Sequence, residues 1–314
     1  MRKYLVLGLV LGLVAAPAMA TDQYSNFKDW ALANGHGGAG GEAQGDVIET
    51  FPVSWAGSPL GLAIDHGDTS RMVFFHESDP DPGIWFVDVA AGHAATSLTY
   101  SKLGGQNTDG GSVRLSDGYI YTADYNGDLS AIDDNIYLFD RSGNTVAYWE
   151  TDGGLTGTQC TGGSVDTIID VAADPVIAGR VYATGVGGNV ITEIDLSDTS
   201  GGAAASSPCV IMGTYAAPAG ISSLIAIEYD PTNDGYWMSD FSSTNLVLVA
   251  NDGTFATVLE TFAFNSGAGY STGISPQTSG GNPLPLWVTD FTSMNANVLD
   301  SGTVPVELQS FNIE

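Results

Sequence analysis

From about residue 46 the chain reads as short apolar runs, most of them four to six residues long, stopped by an acid or a glycine-rich turn. Runs of that length, rich in Val, Ile, Tyr, Trp and Thr and bounded by turn residues, predict β-strands rather than helices. One phrase recurs five times: an apolar or aromatic strand, usually ending in Asp, then a second strand, then a Gly turn. Its clearest copies are Tyr119–Asp124 (YIYTAD), Tyr236–Asp240 (YWMSD) and Leu286–Asp290 (LWVTD); Met72–Glu77 (MVFFHE) and Val181–Gly185 (VYATG) are looser versions. Each is followed by a further predicted strand, at 84–88, 136–140, 190–195, 246–249 and 298–300. Fourth strands are predicted at 97–100, 146–149, 210–212, 256–259 and 306–309.

In three units the first strand ends in an acid six residues before the next strand begins: Asp65 before Arg71, Asp174 before Arg180, Asp230 before Tyr236. Asp-Pro at 174–175 and 230–231 starts a turn. The matching positions Asp124, Gly185, Asp240 and Asp290 are separated by 61, 55 and 50 residues. Four antiparallel strands in a unit of about fifty residues is the size of a propeller blade. Coils of a β-helix are shorter, and an immunoglobulin-like sandwich needs seven or more strands in one domain. The expectation is an all-β chain, a β-propeller of four-stranded antiparallel blades with five complete repeats. The strand at 46–53 either closes the last blade as a strap or begins a sixth, incomplete blade.

The stretch Gly220-Ile … Ile227-Glu-Tyr-Asp-Pro … Tyr236-Trp-Met-Ser-Asp-Phe … Leu246-Val-Leu-Val … Asp252-Gly-Thr resembles the repeat of secreted propellers of the NHL, YVTN, streptogramin-lyase and gluconolactonase-like group. The resemblance covers nearly all of the chain after residue 20. It implies the architecture and leaves the activity open, because that group includes binding modules, scaffolds, lactonases and lyases. Its lactonase-like members hold a metal with Glu, Asn and Asp from separate blades, and these have no residue-by-residue counterpart here.

The ends and the composition narrow the setting. Met1-Arg2-Lys3, the apolar run 4–14 and Ala18-Met19-Ala20 fit a signal peptide over 1–20. Residues 21–45, with His36-Gly-Gly-Ala-Gly-Gly41, read as a flexible segment, and 46–314 as the propeller. The apolar run is short for a membrane span, and no later stretch approaches that length. The closing Pro305-Val-Glu-Leu-Gln-Ser-Phe311 resembles a phrase found at the end of folded domains in secreted bacterial proteins. Thirty-six acids face eight bases, a net charge of −28 that repels nucleic acid and anionic membranes. With 43% hydrophobic and 10% aromatic residues the chain still carries a core. A secreted or periplasmic, monomeric protein follows. In that setting Cys160 and Cys209 are expected to form a disulfide, although blade entry and outer-strand start ordinarily lie on opposite faces.

Candidate chemistry gathers at one mouth. Glu77, Asp124, Asp240 and Asp290 occupy matching strand ends, so a ring of carboxylates is expected around one opening, either as a site for a cation or cationic ligand or as acceptors for their own turns. His76, beside Glu77, offers acid–base machinery or a partly exposed turn histidine. In blade two, Asp124, Asn126, Asp128 and Ser130 alternate as in a calcium loop, but Gly127 stands at the fourth position and Asn135 at the twelfth, so calcium competes with a solvated acidic loop. Gly269-Tyr-Ser-Thr-Gly273 matches a nucleophile elbow only in letters, because no His follows it. Two functions remain: a non-catalytic propeller binding an extracellular protein, glycan or divalent cation on one face, or a metal-dependent hydrolase or lyase of the lactonase-like type. The aromatic strand residues Trp85, Tyr121, Tyr182, Trp237 and Trp287 are expected in the core.

Overall fold

The computed structural model describes residues 44–301 except 54–57, 78–82, 91, 101–107, 125–134, 152–159, 164, 166, 186–187, 265–270, 279–284 and 291. The apolar runs become strands buried on both sides, as blades flanked by other blades require. Blade one is β2 (Ser58–Ile64), β3 (Arg71–Glu77), β4 (Ile84–Asp88) and β5 (Ala95–Ser97). Blade two is β6 (Gly110–Val113), β7 (Ile120–Asp124), β8 (Asn135–Phe139) and β9 (Thr145–Glu150). Blade three is β10 (Ile168–Ala173), β11 (Arg180–Gly185), β12 (Val190–Asp195) and β13 (Val210–Ala216), and blade four is β14 (Leu224–Asp230), β15 (Gly235–Asp240), β16 (Asn245–Ala250) and β17 (Val258–Ala263). Each blade pairs its strands antiparallel in chain order.

Blade five shows how the ring closes. Its inner strands are β18 (Ser271–Pro276), β19 (Leu286–Asp290) and β20 (Asn295–Leu299), and its outer strand is β1 (Val47–Pro52), from the other end of the sequence. Phe51 sits opposite Ala296 and Pro52 opposite Asn295. The molecule is therefore a five-bladed β-propeller closed by a strap, and the described residues form no sixth blade. The strap takes the place expected for 306–309, which, like the signal segment and residues 21–43, lies outside the described residues.

Inner strands approach backbone to backbone around the axis. A Cβ on Gly61 would stand 2.4 Å from the Gly110 Cα, and one on Gly273 2.9 Å from the Gly61 carbonyl carbon, so only glycine lets blades five, one and two meet this closely. Between blades the core is apolar. Tyr121 and Trp149 pack with Ile168, Val181 and Ile194, and Trp237 with Ile274, Leu286 and Val288. Of the predicted core aromatics, Tyr121, Tyr182, Trp237 and Trp287 are buried and Trp85 is half-buried.

Cys160 and Cys209 are bonded. The facing problem is solved by the segment entering blade three, which first runs beside the start of β13. Thr161 pairs in parallel with Val210, the Thr161 amide donates to the Cys209 carbonyl at 2.8 Å, and the Ile211 amide donates to the Thr161 carbonyl at 2.9 Å. Closing a loop of this length contributes on the order of 4 kcal/mol through lost chain entropy.

Candidate functional site

Strand two of every blade ends on the face that also carries the blade-entry segments, here called the mouth; the other face carries the turns between strands one and two. At the mouth the matched acids differ in their surroundings. The Asp240 carboxylate accepts from the backbone amides of Ser222, Ser223 and Ser242 and from the hydroxyls of Ser222, Ser242 and Ser243, at 2.7–3.1 Å. A short acid at a strand end, followed by serines, folds back on its own turn in this way. Burial pushes its pKa up, but the Ser242 and Ser222 donors outweigh that and hold it at about 2. Asp290 likewise accepts from the Thr292 and Ser293 amides and the Ser293 hydroxyl. Glu77 ends β3, with its side chain outside the described set. His76 is inside β3 and fully buried rather than a partly exposed turn residue; its amide donates to the Gly83 carbonyl and its carbonyl accepts from Thr108 Oγ1.

Asp124 stands in different company. Asn126, Asp128 and Ser130, and with them the alternating calcium loop, lie outside the described residues. The sheet instead supplies other neighbours. Asp124 lies directly opposite Asn135, and Asn135 opposite Glu150. Directly opposite residues share a face of the sheet, so these three form one row at the mouth end of blade two. The next row inward holds Thr122, Tyr137 and Tyr148, with the Tyr137 and Tyr148 rings stacked at 5.8 Å. This face packs against Phe75, Ile84 and Tyr100 of blade one. Asp124, Asn135 and Thr122 are fully buried, and Glu150 is 3% exposed. Burial, then the charge of Asp124, pushes the Tyr137 hydroxyl far above its usual range; Tyr148 and Glu150 add to the shift, which places that hydroxyl within reach of both rows. The Asn135 amide nitrogen meets the Tyr137 hydroxyl, while Asn135 Oδ1 and the Thr122 hydroxyl have no hydrogen-bond partner.

A second group of acids escapes the sequence reading. Asp170 on β10 and Glu228 on β14 are fully buried at the axis. Asp170 accepts from the Val171 and Ile227 amides, each at 3.0 Å, and from the Gly111 amide. Glu228 reaches from blade four to the Ile64 amide of blade one at 3.3 Å and to the Ser112 hydroxyl of blade two, while its Oε2 has no partner. Burial raises the pKa of both well above the carboxylate range, and the Asp170 charge raises Glu228 further. Both Asp170 oxygens face N–H donors, so the proton retained by the pair belongs on Glu228 Oε2. Sealed from solvent, the pair binds four blades into one hub. Its signal in the sequence is an acid flanked by apolar residues inside each inner strand, Asp170 in IIDVAA and Glu228 in IAIEYD. Among the described residues no three of His, Cys, Asp and Glu gather as a metal-binding group.

No protein-family profile matches the chain, and no curated relative is found. Solved structures do match. Glutaminyl cyclase from Myxococcus xanthus is 12% identical, with a TM-score of 0.51 over 82% of this chain and 98% of its own. The PQQ-bound aldose sugar dehydrogenase from Streptomyces coelicolor is 15% identical, with a TM-score of 0.43 over 81% and 97%, and the WD40 propeller domain of Doa1 is 9% identical, with 0.43 over 81% and 96%. At 12% identity the likeness to the glutaminyl cyclase is one of fold.

Proposed function

We propose that the protein is an exported, non-catalytic binding propeller that takes an extracellular protein or glycan on its mouth. The observation that carries this reading is the way Asp240 is held. Six donors fix its carboxylate and keep it ionised down to about pH 2, so it cannot deliver a proton, yet it stiffens the rim around it. That rim presents the exposed Ser222 and Ser242, with Phe241 38% exposed beside them and Met294 40% exposed in the corresponding turn of blade five. A preorganised surface of hydroxyls and apolar side chains suits recognition, because little ordering remains to be done on binding. The acids with the most perturbed protonation, Asp170 and Glu228, are closed off on the axis, away from any substrate. Export is supported by the Cys160–Cys209 bridge and by the signal-like start.

Glycan-array and pull-down screening of the exported protein tests this, run beside an ester and lactone turnover screen with added Ca²⁺, Mn²⁺ and Zn²⁺. Saturable binding that Phe241→Ala weakens about tenfold, with turnover at the buffer rate, is the expected result. Robust metal-dependent turnover with no bound glycan or protein would replace the reading with the hydrolase or lyase.

A further inference from the structure

We propose that the seam between blades one and two holds a hard divalent cation of the calcium class, ligated by Asp124, Asn135 and Glu150. The inference deepens the binding reading above by adding a cation site at the mouth, and it does not draw on the segment 125–134.

Three observations carry it. The β7–β8–β9 register sets the three side chains in one cross-strand row, all within 3% of complete burial. Tyr137, two residues on from Asn135 and on the same face of the sheet, borders the row, with its ring stacked on Tyr148 at 5.8 Å. The Asn135 amide is fully buried; its nitrogen meets the Tyr137 hydroxyl, while its Oδ1, and the Thr122 hydroxyl in the next row, have no hydrogen-bond partner. A buried polar atom that nothing meets is costly, and native cores rarely keep several together.

The chemistry of the row selects the ligand. Two carboxylates, one carboxamide oxygen and two neighbouring hydroxyls make an oxygen-only set, which suits a hard cation and not zinc or copper. Its span selects the ion. Strands stand about 4.8 Å apart, so the outer two positions of the row are about 10 Å apart at Cα. A calcium ion with oxygens at about 2.4 Å bridges about 5 Å, and an Asp on one side and the longer Glu on the other cover the remainder. Magnesium demands ligands at about 2.1 Å in strict octahedral order, which a single cross-strand row does not offer.

Calorimetry with calcium alone, on chelator-treated protein in about 0.15 M salt to screen diffuse attraction, tests the site. It is paired with terbium luminescence excited through tyrosine. The expected result is one saturable calcium site, weakened at least about tenfold by Asn135→Ala and by Glu150→Gln and changed less than about threefold by Asp128→Asn. Tyr137→Phe should remove at least about half of the terbium emission, since that ring borders the row on the Asn135 strand. If Asn135→Ala does not fold, the isosteric Asn135→Asp serves: an added carboxylate should tighten calcium, and unchanged or weaker binding counts against the site. The proposal is overturned by the absence of a saturable site in the unmodified protein, by seam variants with unaltered isotherms, or by a site that Asp128→Asn alone abolishes. Because calcium is read directly, this result and glycan or protein capture at the mouth can fail separately.

Discussion

Asp65 and the Asp170–Glu228 pair are both fully buried carboxylates on inner strands or their ends, and they are accommodated by opposite means. Asp65, on the turn face, takes Arg141 in a two-pronged contact at 2.6 and 2.8 Å and Arg71 at 3.0 Å, with both guanidinium groups lying over the Phe86 ring at 4.6 and 4.7 Å. Arg141 comes from the β8–β9 turn of blade two, so the contact ties two blades together. Among the described residues the axial pair meets no such cation, and it relies on backbone amides, the Ser112 hydroxyl and a retained proton. The difference follows from supply. The chain has eight bases for 36 acids, and the described arginines are engaged at Asp65, Asp68, Asp117 and Glu193, all toward the turn face. Where a planar fork of donors reaches, an acid can be buried as an ion pair. Where it does not reach, protonation takes its place.

The sharpest way to break this contrast is to remove the fork. Arg141→Ala leaves the buried Asp65 with Arg71 alone, and uncompensated buried charge typically costs about 3–5 kcal/mol. Urea unfolding at constant m-value reads it; a loss under about 1 kcal/mol would mean that Arg71 suffices and that the two-blade tie carries little. Asp170→Asn is next, at about 1–3 kcal/mol, because its amide group would turn N–H donors against the Ile227 or Val171 N–H. Glu228→Gln mimics the protonated acid and should cost less than Asp170→Asn at neutral pH. Equal losses for the two would mean that the proton is not held on Glu228.

The fold was more legible than the site, and particular residues show why. Strands 84–88, 190–195 and 286–290 appear at the residues expected, because unbroken apolar runs between turn residues leave few other options. The destination of the strand at 46–53 was not legible: an edge strand's partner is chosen by ring closure, a long-range event with no local mark. Asp240 and Asp290 were found by repetition, yet repetition could not say that the Ser or Thr residues two and three positions on would occupy them. Asn135 and Glu150 join Asp124 only through strand pairing across sequence separations of 11 and 26 residues, so their row is invisible along the chain. Asp170 and Glu228 carried a signal, a charge inside an apolar strand, that the stronger repeat overshadowed.

The axial proton makes the contrast measurable with pH. The folded pKa of Glu228 is raised by burial and by Asp170. A raised carboxyl pKa means that the folded state binds the proton more tightly than the unfolded chain. The associated stability is complete below the ordinary carboxyl range and is lost as pH rises toward the folded value. Stability should therefore fall from mildly acid to alkaline pH, at up to about 1.4 kcal/mol per pH unit for one retained proton. Thermal unfolding across that range should show the slope in the unmodified protein and a shallower one in Glu228→Gln. Identical slopes would place the proton elsewhere.

The smallest expected effect lies between these extremes, at Glu260 on β17. It has neither arginines nor an acid–acid pair; it is half-buried and accepts a hydrogen bond from Gln44, the residue leading into the strap. Burial raises its pKa to about 7, with Asp230 adding to the rise and Gln44 opposing it. The sign matches Glu228: the contribution is present below about pH 4.5 and lost as pH rises through about 7. Solvent at this rim screens the effect to on the order of 1 kcal/mol or less. Because Gln44 also donates to the Ser301 carbonyl at 2.8 Å, ionisation of Glu260 bears on where the strap meets blades four and five. Amide exchange of β1, corrected for its intrinsic pH dependence, should quicken slightly between pH 6 and 8, and Glu260→Gln should remove the change. A quickening that survives in Glu260→Gln would assign it to the axial pair, whose loosening is felt by every blade, and would make the strap a reporter of the hub rather than of its own contact.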